Sequence, residues 1–375
     1  MQFLIAALVG VTLLAMSSNG YGKPNETWFL LNQYLSHYYQ EDGRIIDFTR
    51  KSITTSEGEA YALFFFLVNN DRVQFQKVLS WTAHNLAKGD LSKHSISWLW
   101  GENRKGDWGV LDTNTASDAD LWICYTLLEA GRLWNNPEYI HLSQAIAARI
   151  AKTEFQFIPG FGIFMLPGSR GFHPAPDLWR LNPSYAPPFI LRRFQKEFKS
   201  DPWKDFPDLN IFLLKNTSHH GFVPDWTAYR VNQGFVQDSV SGNIGSFDAI
   251  RVYLWAGMMS SRDPQSPRIL SLINGWAQKG HHQKLSASIN IQTDQRKGDP
   301  SVGFKAALLP YWRKFKCKRV VKYQFIVRYE ILHNPQKLSY YDWNLLLFGT
   351  GFIEGRFSFD RWGELQVPWK KEKKE

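Results

Sequence analysis

The stretch ASDADLWICYTLLEAGRLW, residues 116–134, decides the architecture. Leu121, Cys124, Leu127, Leu128 and Leu133 recur at spacings near three and four, which winds one apolar stripe along a helix. Ser117 is the expected N-cap, and Asp118 and Asp120 fall in the first turn, where carboxylates meet the positive end of the helix. These two acids do not share a helix face, so one is free to point into a cleft. A second helical signal, over residues 137–152, follows at once.

Working outward, the same periodicity predicts helices over residues 59–68, 73–86 after Asp71, 248–259, 267–278 and 340–348. Short strands are expected within 155–165 and 357–359, as minor elements. Helix pairs with short connections and no strand alternation point to stacked α-hairpins. About six such pairs, at roughly 50–60 residues each, fill the chain and suggest an all-α toroid. No self-similarity relates the pairs, which disfavours a solenoid of near-identical repeats. No Ser/Gly-rich or Pro-rich linker interrupts residues 24–369, read as one domain and followed by a charged tail, KKEKKE, at 370–375.

The composition of the 375 residues, 44% hydrophobic and 21% charged, excludes disordered, collagenous and low-complexity classes. The net charge of +10 is scattered apart from residues 314–322 and the tail, and no zinc-finger spacing or RNP-like motif accompanies it. Nucleic acid is therefore not an expected partner, and anionic polymers remain only as weak ones. Residues 3–16 are apolar and then give way to small polar residues, the pattern of a secretory signal over 1–22 that is cleaved between 17 and 23. The run is too short for a membrane span, although the absence of Lys or Arg at its start leaves a buried or anchoring N-terminal helix as the competing reading. A periplasmic or secreted protein without stable membrane insertion after signal removal is expected. Cys124 reads as a core position, and one bridge to Cys317 stays open.

Three acidic segments stand beside helix starts. In TTSEGEAY, residues 54–61, Ser56 with Glu59 reads as a capping box, whereas Glu57 has no such role. Partial burial before the apolar run 62–68 would raise its pKa toward that of a general acid; the competing reading is helix-dipole complementarity. Asp118 and Asp120 have no nearby His and no calcium-loop spacing, so metal is not expected. In GSFDAIRV, residues 245–252, Asp248 and Arg251 form either an ordinary i,i+3 pair or a cleft carboxylate kept ionised by a guanidinium, suited to a general base.

These segments, with WLWG at 98–101, RLNPSY at 180–185, SVGFKAALLPYW at 301–312 and YYDWNLLLFGTGF at 340–352, resemble glycoside hydrolase family 8. Within it they are most similar to the periplasmic endo-β-1,4-glucanases associated with bacterial cellulose synthase. The resemblance implies an (α/α)6 barrel with a long open cleft and inverting hydrolysis of β-1,4-glucosidic bonds, with no metal or cofactor. It assigns Glu57 as general acid, Asp248 as general base and Asp118 as the aspartate that holds the distorted sugar, with Arg251 beside the base. Trp100, Tyr185, Tyr340 and Tyr341 fall on segments that supply aromatic cleft contacts. Two departures are Phe247, where relatives often carry Tyr, and Trp343, which would alter the cleft wall. A β-glucan substrate, a functional link to the cellulose-synthesis machinery and a monomeric state are implied with it.

Inverting hydrolysis requires an acid and a base about 6.5–9.5 Å apart across the sugar ring. Stacking on glucose faces is expected to explain the 16 Trp better than packing does. The alternatives are the same chemistry on mixed-linkage β-glucan, xylan or chitosan, and a non-catalytic glycan-binding barrel, which the presence of all three carboxylates disfavours.

Overall fold

A helix that is apolar on every side has to be buried on every side, and that property sorts the helices of this chain into two rings. The computed structural model describes residues 27–278 and 285–370. The expected signal at 1–22, the His281-His282 pair and the tail beyond Lys370 lie outside the described residues. Among the described residues thirteen α-helices follow in order. They are α1 (Phe29–Tyr38), α2 (Ser56–Val68), α3 (Arg72–Leu86), α4 (Ser117–Trp134), α5 (Pro137–Thr153), α6 (Pro188–Glu197) and α7 (Phe206–Thr217). The remainder are α8 (Ala249–Met258), α9 (Gln265–Leu272), α10 (Gly275–Gln278), α11 (Val302–Lys314), α12 (Arg319–His333) and α13 (Tyr340–Ile353).

In α2, α4 and α8 nearly every residue is buried, whereas α3, α5 and α12 bury a single stripe. The inner ring runs α2, α4, α6, α8, α11, α13, each packed on the next. Tyr61 of α2 closes it by meeting Phe348 of α13 edge to face at 5.1 Å. Outside them α3, α5, α7, α9 and α12 each pack on the inner helix that precedes them, and α1 packs on α13. Six hairpins thus close into the expected (α/α)6 barrel.

The axis is filled by aromatic rings. Trp122 of α4 meets Phe64 of α2 at 5.1 Å, Phe348 of α13 at 5.0 Å, Trp255 of α8 at 5.3 Å and Phe189 of α6 at 5.8 Å. Four other inner helices converge on this one indole, at the edge-on and tilted angles that aromatic quadrupoles favour. Close approach elsewhere depends on missing side chains: a Cβ at Gly349 of α13 would lie 2.2 Å from the carbonyl oxygen of Ala306 in α11. Pro310, four residues on, has no N–H to offer that carbonyl, so the contact falls where α11 is locally open.

Several expectations are corrected. Thr55, not Ser56, caps α2, its side chain accepting from the Gly58 N–H. The capping box is therefore absent, and Glu59 instead accepts the Ile45 N–H at 2.8 Å in the core. Ser117 does not cap α4; its hydroxyl donates to the Leu166 carbonyl at 2.5 Å. The helix expected over 267–278 starts at Gln265 and breaks after Leu272, because the Gly275 N–H leaves the helix to bond the carbonyl of Gly221 at 2.9 Å. Small antiparallel sheets are more numerous than expected. They include β1 (Thr54–Thr55), β2 (Leu99–Glu102) and β3 (Trp108–Asp112) in one sheet, and the expected hairpin β4 (Phe155–Ile158) with β5 (Gly162–Met165). A further three strands, β6 (Leu178–Leu181), β7 (Thr227–Arg230) and β8 (Gly234–Gln237), form another sheet. Packing explains most of the tryptophan: Trp28, Trp81, Trp122, Trp134, Trp179, Trp203, Trp255, Trp276, Trp312 and Trp343 are all buried. Cys124 and Cys317 are both buried and free, with the Cys124 thiol directed at Ser143.

Candidate active site

Because consecutive inner helices run the same way around the barrel, their N-termini gather at one end. Glu57 sits in the first turn of α2, Asp118 in the first turn of α4, Asp248 at the N-cap of α8 and Tyr341 in the first turn of α13. Tyr185 lies in the turn Pro183–Tyr185 just before α6. Residues scattered over nearly three hundred positions are thereby brought to one mouth, on the positive ends of helices.

Arg251 ties the acids together. Its Nη1 donates to Oδ2 of Asp118 at 2.9 Å and its Nη2 to Oδ1 of Asp248 at 2.6 Å. The guanidinium also lies 5.4 Å from the ring centroid of Tyr185 and beside the Tyr61 hydroxyl. Asp118 is 2% exposed, whereas the Asp248 side chain keeps 34% of its surface open. Asp118 Oδ1 further accepts the Ala119 N–H at 2.9 Å. Burial pushes the Asp118 carboxyl upward, and the guanidinium works against that rise.

Asp248 is free to face outward because another residue caps its helix. Asp225, in the turn before β7, accepts at one oxygen the N–H groups of Ser246 at 2.7 Å, Asp248 at 3.1 Å and Ala249 at 2.8 Å. The first amides of α8 are thus satisfied from outside, and the Asp248 side chain makes no cap bond of its own. Its second oxygen, Oδ2, accepts the indole N–H of Trp226 at 2.9 Å. Trp226 stacks on Phe172 at 5.9 Å with an interplanar angle of 8°, and tilts against Tyr185, also at 5.9 Å.

Glu57 stands in a different field. Burial first, and the negative charge of Asp118 second, raise its pKa to about 7, outweighing a backbone hydrogen bond and Arg251. One carboxyl of the constellation is thereby kept protonated near neutrality while another is gripped by two donors. Asp120 turns away into the protein, paired with Glu154 beside Arg149, and burial raises both carboxyls.

The sequence of these segments and the barrel agree with a match along the chain: the family model described as Glycosyl hydrolases family 8 covers residues 1–353. The chain belongs to glycosyl hydrolases family 8. An endoglucanase of Xanthomonas axonopodis pv. citri is 40% identical over 374 residues, covering 98% of this chain and 94% of that protein. One of Salmonella typhi is 38% identical over 364 residues, covering 96% of each. The crystal structure of endo-1,4-D-glucanase from Vibrio fischeri ES114 superposes with a TM-score of 0.86 at 38% identity, covering 92% of this chain and all of that one.

The remaining aromatic positions read from the family 8 resemblance are divided by the structure. Tyr341 joins the site, its hydroxyl donating at 2.5 Å to the carbonyl of Phe247, the residue before Asp248. The half-exposed Phe247 ring packs edge-on against Tyr341, so the helix start carrying Asp248 is held from α13. Trp100 pairs with Thr54 across β1 and β2, three residues before Glu57, with its ring against Trp81 and Trp108 and the Arg44 guanidinium 4.4 Å from its centroid. Tyr340 packs its ring among Tyr34 and Tyr38 of α1, with its hydroxyl against Gly58, the residue after Glu57. Trp343 is 1% exposed and stacks on His37, so it belongs to the core and does not shape a cleft wall.

Asp225, Trp226, Phe172 and Tyr61 were not legible as site residues of this family 8 chain. The only sequence signal was the Pro-Asp-Trp run at 224–226, an acid and an indole after a helix-breaking residue. Among the described residues no cluster of His, Cys, Asp and Glu has a metal-binding arrangement, and no helix is long and apolar enough to cross a membrane.

Proposed function

We propose that this chain hydrolyses internal β-1,4-glucosidic bonds of cellulose-like glucans with inversion, Glu57 acting as acid and Asp248 as base. The observation that carries the reading is the unequal treatment of the carboxyls: Glu57 is held near pKa 7 while Asp248 is gripped by Arg251 and Trp226. Glu57 gives its proton to the glycosidic oxygen as the C1–O bond breaks. Asp248 takes a proton from the water that attacks C1 on the opposite face, and the hydroxyl formed there has the α configuration. Asp118, fixed by Arg251, is the residue to hold the sugar, and Tyr185 with the Trp226 and Phe172 pair offers stacking surface.

The glucan, and not xylan or chitosan, is favoured by the endoglucanase relatives at 38–40% identity. Export to the periplasm or beyond is supported by the apolar run at 3–16 followed by small polar residues. A monomer serving a cellulose-synthesis machinery completes the reading, on the strength of the motif resemblance.

The test is NMR of fresh product from a cello-oligosaccharide. An α-anomer that precedes mutarotation is expected; an initial β-anomer, or a trapped glycosyl-enzyme, overturns the role given to Asp248. Rates on a soluble cellulose derivative, mixed-linkage glucan, xylan and chitosan decide the polymer, with the cellulose derivative expected to be cleaved fastest.

A further inference from the structure

Helix α12 carries two apolar stripes, and the barrel uses one of them. Val327 and Ile331 are buried, with Val320 and Tyr323 packed beside them on the core. On the far side Val321 is 73% exposed, Phe325 71%, Tyr329 50% and Leu332 48%. Their spacing of four, four and three makes a continuous ridge along the outermost surface of the helix. Isolated exposed apolar residues are ordinary, but four aligned on one helix face are not.

The charge around the ridge is equally uneven. Residues 313–337 contain eight Lys and Arg against the lone Glu330, which is seven of the ten net positive charges of the whole chain. Lys318 and Lys322 are exposed beside the ridge, and Arg328 lies one residue from Tyr329. An apolar stripe rimmed by cations on a projecting helix is the pattern of an element that lies in the interface of an anionic bilayer.

We propose that α12 is a peripheral docking face for an anionic lipid surface, with the Val321 to Leu332 ridge entering the headgroup boundary and the flanking cations meeting lipid phosphates. A ridge that projects suits a deformable planar surface better than the groove a folded peptide would require. A second copy is disfavoured by charge: a two-fold contact through this helix would oppose two strongly cationic segments. The proposal is independent of the glucan chemistry, since α12 belongs to the outer ring and supplies none of the site residues.

The test is co-sedimentation of the full chain with phosphatidylglycerol/phosphatidylcholine vesicles and with phosphatidylcholine alone, at low and high salt. Binding to the anionic vesicles only, weakened by salt, is expected. Val321→Ser with Phe325→Ser, and separately Lys318→Glu with Lys322→Glu, should each reduce it on the order of tenfold. Hydrolysis of a soluble substrate should be unchanged in both variants, which shows that they are folded. Absence of binding, equal binding to both vesicle types, or undiminished binding by the variants overturns the proposal. So does ridge-dependent dimerisation, or capture of an acidic protein, without lipid binding.

Discussion

The indole N–H of Trp226 donates to Oδ2 of Asp248 across 2.9 Å, opposite the oxygen held by Arg251. Both oxygens of the carboxylate are therefore oriented, one from its own helix and one from a loop 22 residues earlier. A base fixed in this way presents its remaining lone pairs in one direction, which is what activation of a single water requires.

Trp226→Phe removes that donor while keeping an aromatic surface. A fall in kcat of about 10- to 100-fold is expected, the scale of one hydrogen bond to a charged group, with a smaller change in KM. Steady-state kinetics on a soluble cello-oligosaccharide measure the split. A change confined to KM would make Trp226 a stacking surface only.

Glu57→Gln and Asp248→Asn each remove the proton-transfer function proposed for that residue, and losses of at least about 100-fold in kcat are expected with folding and oligosaccharide binding retained. In the wild type, activity should decline as pH rises through about 7, because Glu57 must be protonated to act. Glu57→Gln should abolish the activity to which that decline belongs. A pH-rate profile and calorimetric binding check both.

The same burial has a stability consequence. Because the folded pKa of Glu57 is raised to about 7, the folded state holds its proton more tightly than the unfolded chain does. That contribution is complete below the ordinary carboxylate range and is lost as pH rises through about 7. Glu57→Gln never bears the charge, so its stability relative to wild type should grow between pH 4 and pH 8 by about 1–3 kcal/mol. Thermal melts of both proteins across this range measure it; a constant difference would show that Glu57 is not held in a desolvated site.

Trp122→Ala, at the barrel axis, opens a cavity among the rings of Phe64, Phe189, Trp255 and Phe348. A loss of about 3–5 kcal/mol is expected in denaturant unfolding. Trp100→Ala, on a half-buried ring of the β2 strand, should cost less stability and chiefly weaken polymer cleavage.

Helix pairing was legible because it is written in local periodicity. Leu121, Cys124, Leu127 and Leu128 announce α4 without help from the rest of the chain, as Asp71 announces α3 by accepting the Gln74 N–H. Caps were less secure, since Thr55 and Ser56, or Ala116 and Ser117, differ by one position in sequence but by a whole bonding partner in space. The Ser117 hydroxyl is engaged by Leu166, a residue with no local relation to it. No helix was expected over Arg319–His333, and which of its apolar residues face outward is decided only by the packing of the other face against the barrel.

The sequence by itself located seven helical segments, room for about six hairpins, and the three acids, because helical spacing and ordered motifs are properties of neighbouring residues. Only the tertiary structure decided how those acids differ. Parallel inner helices bring their N-termini to one mouth, burial there raises Glu57, and Asp225 takes over the capping of α8 so that Asp248 is left for Arg251 and Trp226. Desolvation and directional hydrogen bonds depend on what surrounds a side chain in space, and that surrounding is built from residues far apart in sequence, as Asp118 and Arg251 are at 133 positions.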